Sequence, residues 1–178
     1  MLIPTVKRKS RRLPPRDVNQ PTGGGDETGL IYAELELTNS DDLAVYHRGL
    51  LPGEEIRSIR VRALVDSGAY QMVINEHIKG QLGLRVIEER VVALADESER
   101  RVDVVGPVEI RFKNRMTLTT AIVLPGTRDV LLGSIPMEDL DVVIDPKRQT
   151  LEVNPANPNI AVTIVKNVGS GTHVRVNA

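Results

Sequence analysis

The stretch Ala63-Leu64-Val65-Asp66-Ser67-Gly68-Ala69 joins a run of apolar residues to a polar turn. Upstream, residues 56–62 alternate imperfectly between apolar and polar side chains, which favours a strand. An ionised carboxylate directly after a buried strand is costly unless hydrogen bonds hold it. Asp66 is therefore a candidate for acid–base chemistry, with the hydroxyl of Ser67 and the amides of the turn at Gly68 as its supports.

Asp-Ser-Gly by itself is a weak signal. The same residues form ordinary turns in which an Asp side chain accepts hydrogen bonds from the backbone two residues on. A second element favours the catalytic interpretation, because a strand is predicted to end in Leu131-Leu132-Gly133 and is followed by a short helix and two strands.

Composition and patterning predict a mostly β domain. With one Phe, three Tyr and no Trp, the core must be built from Val, Leu, Ile and Ala, and β-branched residues favour sheets. Strands are predicted at residues 30–37, 56–65, 85–95, 101–113, 116–124, 130–132, 142–144 and 150–153. A polar turn at residues 96–99 joins a hairpin, and residues 38–55 are predicted to be a long polar connection.

One or two short helices complete this prediction. The spacing of Ile74, Ile78 and Leu82 fits a helix that Asn75 caps and that Gly80 or Gly83 ends. A second short helix is expected at about residues 136–140.

From residue 29 to about residue 160, this sequence resembles the retropepsin-like aspartic proteases, and specifically the small single-domain members from bacteria and cyanobacteria. Besides Asp-Ser-Gly and Leu-Leu-Gly, the matching segments are Ala69-Tyr70, Ile74-Asn75-Glu76, Gln81-Leu82-Gly83-Leu84, Val105-Gly106-Pro107, Ile135-Pro136-Met137-Glu138-Asp139 and Asp145-Pro146-Lys147-Arg148-Gln149. The resemblance implies a closed β barrel that forms half of a homodimeric acid protease.

The resemblance also implies residue roles. It makes Asp66 the catalytic aspartate, with Ser67 and Gly68 completing the motif. Residues expected to bind substrate or form the flap are Ala69, Asp96, Glu97 and Ser98, and those expected to pack beneath the active-site loop are Leu131, Leu132 and Gly133. Relatives carry Gly after the Asp of the flap turn where this chain has Glu97, which adds an acid above the cleft.

Hydrolysis of this kind needs two carboxylates, and the chain has one Asp-Ser-Gly. A two-fold homodimer would bring Asp66 against Asp66 of a second copy. We therefore predict an aspartic endopeptidase that acts on peptide or protein substrates without a metal or an organic cofactor. The alternative is a dimer of the same fold that binds a peptide or partner protein without cleaving it.

The chain is expected to divide into three parts. Residues 1–28 are predicted to be a disordered basic leader with a Gly-rich linker, residues 29–160 the protease domain, and residues 161–178 a C-terminal tail for which a strand is one option. Residues 1–16 carry six basic side chains and no acidic one, but they lack the interleaved aromatics that would favour a nucleic-acid partner.

The absence of cysteine excludes disulfides and thiol catalysis and fits a reducing compartment. No apolar run approaches the roughly 20 residues that span a bilayer, so we expect a cytoplasmic protein without a membrane partner.

Other candidate sites are weaker. His47, His77 and His173 have no ligand spacing, and neither Ser67 nor Ser98 has a histidine at a motif-supported distance. The acidic residues Asp139, Asp141 and Asp145 are expected to cap a helix and border a turn rather than bind calcium. Residues 88–90, Glu-Glu-Arg, are interpreted as a solvated strand face.

Overall fold

The computed structural model describes residues 16–17, 29–93 and 97–163. The strands are β1 Arg16–Asp17, β2 Tyr32–Asn39, β3 Ser58–Val65, β4 Met72–Ile74, β5 Arg85–Ala93, β6 Glu99–Phe112, β7 Arg115–Val123, β8 Val130–Leu132, β9 Val142–Asp145 and β10 Thr150–Val153. The helices are α1 Ser40–His47, α2 Glu76–Leu82 and α3 Ser134–Asp139, and residues 53–55 form a 3-10 turn.

Six strands form a closed barrel. They follow one another in the order β3-β2-β6-β7-β4-β8, and β8 pairs back onto β3. Most neighbours are antiparallel, whereas β3–β8 and β4–β7 are parallel. The mostly β, closed-barrel class predicted from the sequence is confirmed, and strand β4 is an addition that the sequence patterns did not indicate.

Aliphatic side chains fill the barrel, as the composition requires. The fully buried side chains of this core include those of Leu35, Leu37, Ile59, Met72, Ile74, Leu82, Ile110 and Leu132. Helix α2 closes one side by burying Ile78 and Leu82, with Asn75 as its N-cap and Gly83, in the left-handed conformation, as its C-cap. Asn75 is the predicted N-cap, and Gly83 is one of the two residues at which the helix was predicted to end.

Helix α1 corrects the prediction of a polar connection at residues 38–55. Its sequence, Ser-Asp-Asp-Leu-Ala-Val-Tyr-His, lacks the apolar periodicity of an amphipathic helix and buries only Asp42 and Leu43. The helix forms because Asn39 caps it, with Oδ1 accepting from the amides of Asp41 at 2.8 Å and Asp42 at 3.3 Å. An Asn followed by two acids in the first turn was the available signal.

Strand β6 serves two parts of the molecule. Its register with β7 shifts between Val105 and Val108, and a bulge of this kind bends a strand. Residues 103–105 and 108–112 pair with β7 in the barrel, and residues 99–106 also pair with β5, from Glu99↔Ala93 to Gly106↔Arg85. We call β5 and residues 99–106 the flap hairpin, and its existence agrees with the hairpin predicted around residues 96–99.

Strands β9 and β10 form a separate antiparallel pair, and Asp141 holds the chain that follows them. Its carboxylate accepts hydrogen bonds from Asn154 Nδ2 at 2.7 Å, Asn157 Nδ2 at 2.8 Å and the Val162 amide at 3.0 Å. The hydrogen bond from Asn154, with those from Val162 and Asn157, lowers the pKa of Asp141 below its usual range. Asp141 therefore holds the end of the domain in place, whereas the sequence analysis expected the acidic residues of this region only to cap a helix and border a turn.

Helix α1 is joined to the start of β3 by an ion pair. Arg57 donates to Asp42 from Nη2 at 2.6 Å and Nε at 2.7 Å, and its amide donates to the same carboxylate at 3.0 Å. Burial acts to raise the pKa of Asp42, but the side-chain and backbone hydrogen bonds and the charge of Arg57 together hold it below its usual range. The carboxylate thus stabilises the fold in its ionised form.

We predict that Asp42→Ala lowers the free energy of unfolding near neutral pH by about 1–3 kcal/mol, because Arg57 loses a hydrogen-bonded partner. Since the folded-state pKa is depressed, this contribution is present above the usual carboxyl pKa of about 4 and is lost as the pH falls through the folded value. Urea unfolding of the wild type and of Asp42→Ala, near neutral pH and at about pH 3, measures this contribution. The difference in the free energy of unfolding between the two proteins should narrow in acid.

Asp41→Ala is the matched control, because Asp41 pairs with Arg85 across an exposed surface, at 3.1 Å. This substitution should lower the free energy of unfolding by less than about 1 kcal/mol. Equal losses for the two variants, or a gap independent of pH, would contradict the role given to Asp42.

Candidate active site

Asp66 follows directly on β3, at the edge of the barrel where β3 pairs with β8. Its amide donates to the Leu132 carbonyl at 3.1 Å, which continues the β3–β8 ladder by one residue. Its carboxylate Oδ1 accepts from the Gly68 amide at 2.8 Å, and the Ala69 amide closes the turn onto the Asp66 carbonyl at 3.2 Å. The backbone therefore fixes both the residue and one carboxylate oxygen.

The second carboxylate oxygen, Oδ2, accepts no hydrogen bond from the part of the chain that the structure describes. Asp66 is half-buried, and Ser67 and Gly68 beside it are exposed. One oxygen is thus held while the other has no donor among the described residues, an arrangement suited to binding a water molecule or a second carboxylate.

The active-site loop, residues 66–71, rests on the segment that follows β8. Ser134 donates its amide to the Ala69 carbonyl at 2.8 Å and Ile135 to the Tyr70 carbonyl at 3.0 Å. A Cβ atom on Gly133 would lie 2.4 Å from the Gln71 carbonyl oxygen and 2.8 Å from that of Ala69. Only glycine permits so close a contact, which explains the Leu-Leu-Gly pattern.

A cavity of about 690 Å³ opens beside Asp66 and runs beneath the flap hairpin. The residues that line it are Asp66, Gly68, Ala69, Tyr70, Gln71, Val73, Arg90, Val92, Ala93, Ile122, Leu124, Leu131 and Ile135. Most of these are apolar, so polar contacts to a bound molecule would come from few groups, chiefly Asp66, Gln71 and Arg90.

The structure brings together most of the residues predicted for the site. Asp66, Gly68, Ala69 and Leu131 line the cavity, while Leu132 and Gly133 are buried beneath the loop. Glu97 and Ser98 are exposed at the flap turn, and Asp96 lies outside the described residues.

Among the cavity residues with polar side-chain groups, sequence reasoning missed three: Tyr70, Gln71 and Arg90. Arg90 had been placed on a solvated face together with the two preceding acids. Its side chain is 44% exposed, but it borders the cavity. Arg90 and Val92 are two residues apart on a predicted strand of the flap, so their side chains lie on the same face. This spacing was the signal that could have placed Arg90 at the cavity.

The other candidates do not form a second site. No group of three or more His, Asp or Glu side chains able to hold a metal occurs among the described residues. His47 lies edge-on to Tyr46, His77 contacts Gln81 at 3.1 Å, and His173 is outside the described range. Asp145 accepts from the amides of residues 147 and 148, as expected of a turn, while Asp139 accepts from the hydroxyl of Thr117.

A second cavity, of about 560 Å³, lies between β7, α3 and residues 162–163. Across the described ranges, no helix is long and apolar enough to cross a bilayer.

The closed barrel, with an aspartate directly after β3, has the arrangement that the resemblance to acid proteases implied. Residues 55–134 match the model of the aspartyl protease family. This match covers the Asp-Ser-Gly motif and Leu-Leu-Gly, and it supports the retropepsin-like family that the sequence resembles.

Among solved structures, the retroviral protease-like domain of Ddi1 from Leishmania major is similar to this chain, with a TM-score of 0.47 and 17% identity over 72% of this chain and 90% of that one. A comparison with curated proteins gives no match.

We predict that Gly133→Ala lowers the free energy of unfolding by about 3 kcal/mol or more, because the new methyl group overlaps backbone atoms that hold the active-site loop. Gly80→Ala is the control, since a Cβ there meets nothing within 4 Å. It should raise stability by up to about 1 kcal/mol, as expected inside a helix. Denaturant unfolding measures both, and a Gly133→Ala protein as stable as wild type would show that the close contact is not required.

Proposed function

We propose that this protein is an aspartic endopeptidase that hydrolyses peptide bonds with a water molecule activated by two copies of Asp66. The observation that carries the proposal is the placement of Asp66: one carboxylate oxygen is held by the Gly68 amide at 2.8 Å, and the residue lines the cavity of about 690 Å³ beneath the flap hairpin. The aspartyl protease family match covers this motif.

The second carboxylate would come from a second copy of the chain. One chain contains a single Asp-Ser-Gly, and a two-fold axis next to Asp66 would pair it with its symmetry mate. Large apolar side chains beside the loop support such an interface, since Tyr70 is 78% and Ile135 52% exposed. Exposed apolar groups clustered at one site are typical of a surface that is covered by a partner.

Free strand edges could extend this interface. Within the described residues, β2 pairs with β6 only at Glu36–Asn39, so that residues 32–35 pair on one side alone. Strand β10 likewise pairs only with β9. Unpaired edges of this kind favour strand addition by another chain, and joining two copies through them would complete the cleft.

The chemistry follows from the two carboxylates. At short separation both cannot ionise, so one is protonated and the other is not. The ionised carboxylate removes a proton from water as the water oxygen bonds to the scissile carbonyl carbon. The protonated carboxylate gives its proton to the carbonyl oxygen as that oxygen becomes tetrahedral. The C–N bond then breaks as the first carboxylate gives its proton to the amine nitrogen and the second carboxylate takes a proton back from a hydroxyl of the tetrahedral intermediate. A carboxylic acid and an amine are released, and the pair of carboxylates again holds one proton.

The alternative is a dimer that binds peptides without cleaving them, and Glu97 is the observation that favours it. Glu97 has a φ of 65°, a left-handed conformation that costs a residue with a side chain roughly 1–2 kcal/mol. The relatives that this sequence resembles carry glycine at that position. A strained, charged turn could hold the flap in an arrangement that binds but does not cleave.

We predict that wild-type protein cleaves a random peptide library and that Asp66→Asn lowers the rate roughly 100- to 10,000-fold, because the amide is nearly isosteric but cannot exchange the proton. Asp129→Asn is the matched control, since Asp129 is exposed and lies outside the cavity. Cut sites and rates are read by mass spectrometry. Activity retained in Asp66→Asn would contradict the mechanism, and binding without cleavage by wild type would favour the alternative.

A further inference from the structure

Arg90 is the one basic side chain lining the cavity beside Asp66 in the described part of the chain. It lies on β5 of the flap hairpin, opposite Val102 of β6. Its Nη1 donates to Gln71 Oε1 at 3.0 Å, and its Nη2 donates to Glu88 Oε1. These contacts aim the guanidinium across the rim of the cavity, toward the active-site loop.

The guanidinium retains donors for a ligand. An arginine side chain has five N–H donors, and the hydrogen bonds to Gln71 and Glu88 use two of them. With 44% of the side chain exposed, a bound molecule can reach it. Apolar residues, among them Val92 and Leu124, line the same cavity, so an ionic contact to a bound molecule would form beside apolar groups rather than in open solvent.

We infer that Arg90 is a specificity-determining residue, which binds an acidic side chain of the peptide that occupies the cavity. A carboxylate is the group that a guanidinium binds best, through two parallel N–H···O contacts. Because side chains of an extended peptide alternate, one acidic residue at a fixed distance from the scissile bond would meet Arg90. The inference deepens the proposed function and rests on peptides binding in this cleft.

Glu88 competes with the carboxylate of the peptide for the guanidinium of Arg90. Its side chain is 48% exposed, so a substrate acid can replace it on Arg90 without leaving it buried and unpaired. Neutralising Glu88 should therefore strengthen the preference for an acidic residue. Neutralising Arg90 should remove it.

Arg101 provides a matched control on the same hairpin. It pairs with Val91 in register, so it projects from the face opposite to that of Arg90. It has its own acidic neighbour, Glu89, at 3.8 Å. Arg101→Gln removes the same charge from the same hairpin without altering the cavity.

The experiment digests a random peptide library with the wild type, Arg90→Gln, Arg90→Glu, Glu88→Gln and Arg101→Gln, and reads cut sites by mass spectrometry. Wild type should favour Asp or Glu at one position by roughly 10-fold over Gln, as expected of a partly exposed ionic hydrogen bond. The preference should vanish in Arg90→Gln, change to Lys or Arg in Arg90→Glu, and increase in Glu88→Gln. It should be unchanged in Arg101→Gln.

A second arm separates this inference from the proposed function. Asp66→Asn protein, with and without Arg90→Gln, is used to select binders from a displayed library of the same peptides. Acid-enriched binders that depend on Arg90, together with no cleavage by wild type, would support the inference and contradict the peptidase. Cleavage without a preference that depends on Arg90 would overturn the inference alone, and neither cleavage nor peptide binding would overturn both.

Discussion

The structure depends on the parallel pairing of β3 with β8. This pairing closes the barrel, since β8 is the last strand of the ring and β3 the first. It also extends beyond the strands, because the Asp66 amide donates to the Leu132 carbonyl and fixes where the active-site loop begins. Closure of the fold and position of the candidate catalytic carboxylate are therefore set by the same hydrogen bonds.

The contact between Gly133 and the loop is the second constraint. Backbone atoms of residues 69 and 71 occupy the space where a side chain at position 133 would lie. The loop is thus held by backbone contacts, to the Leu132 carbonyl at its start and to residues 133–135 beneath it. Backbone contacts cannot change rotamer as side chains can, and preorganisation of this kind keeps a functional group in place. The flap hairpin lies on the other side of the cavity, and its strand β5 is largely exposed.

The sequence predicted most strands and the active-site loop well because both have strong local signatures, whereas closure of the strands into a barrel was implied by the family resemblance. Alternation located most strands, and Asn75 and Gly83 fixed the ends of α2. Helix α1 was missed because it is held by a cap and the Asp42–Arg57 pair rather than by an apolar face.

Strand β4 and Arg90 were missed for a different reason. Strand β4 is only three residues long, too short for a periodic pattern to indicate it. The place of Arg90 at the cavity depends on how the flap hairpin folds over the loop, which periodicity within β5 alone does not specify. The catalytic role of Asp66 and the pairing of two chains stay predictions.

The central claim is that each chain supplies one carboxylate to a shared site, and subunit mixing tests it most directly. A fixed amount of wild-type protein is incubated with increasing excess of Asp66→Asn protein until subunits have exchanged, and peptide cleavage is then measured. Because heterodimers would carry a single carboxylate, the account predicts that activity falls toward zero as the variant captures wild-type chains. Activity that stays constant at every ratio, and proportional to wild-type concentration on dilution, would mean that each chain holds a complete site and would contradict the account.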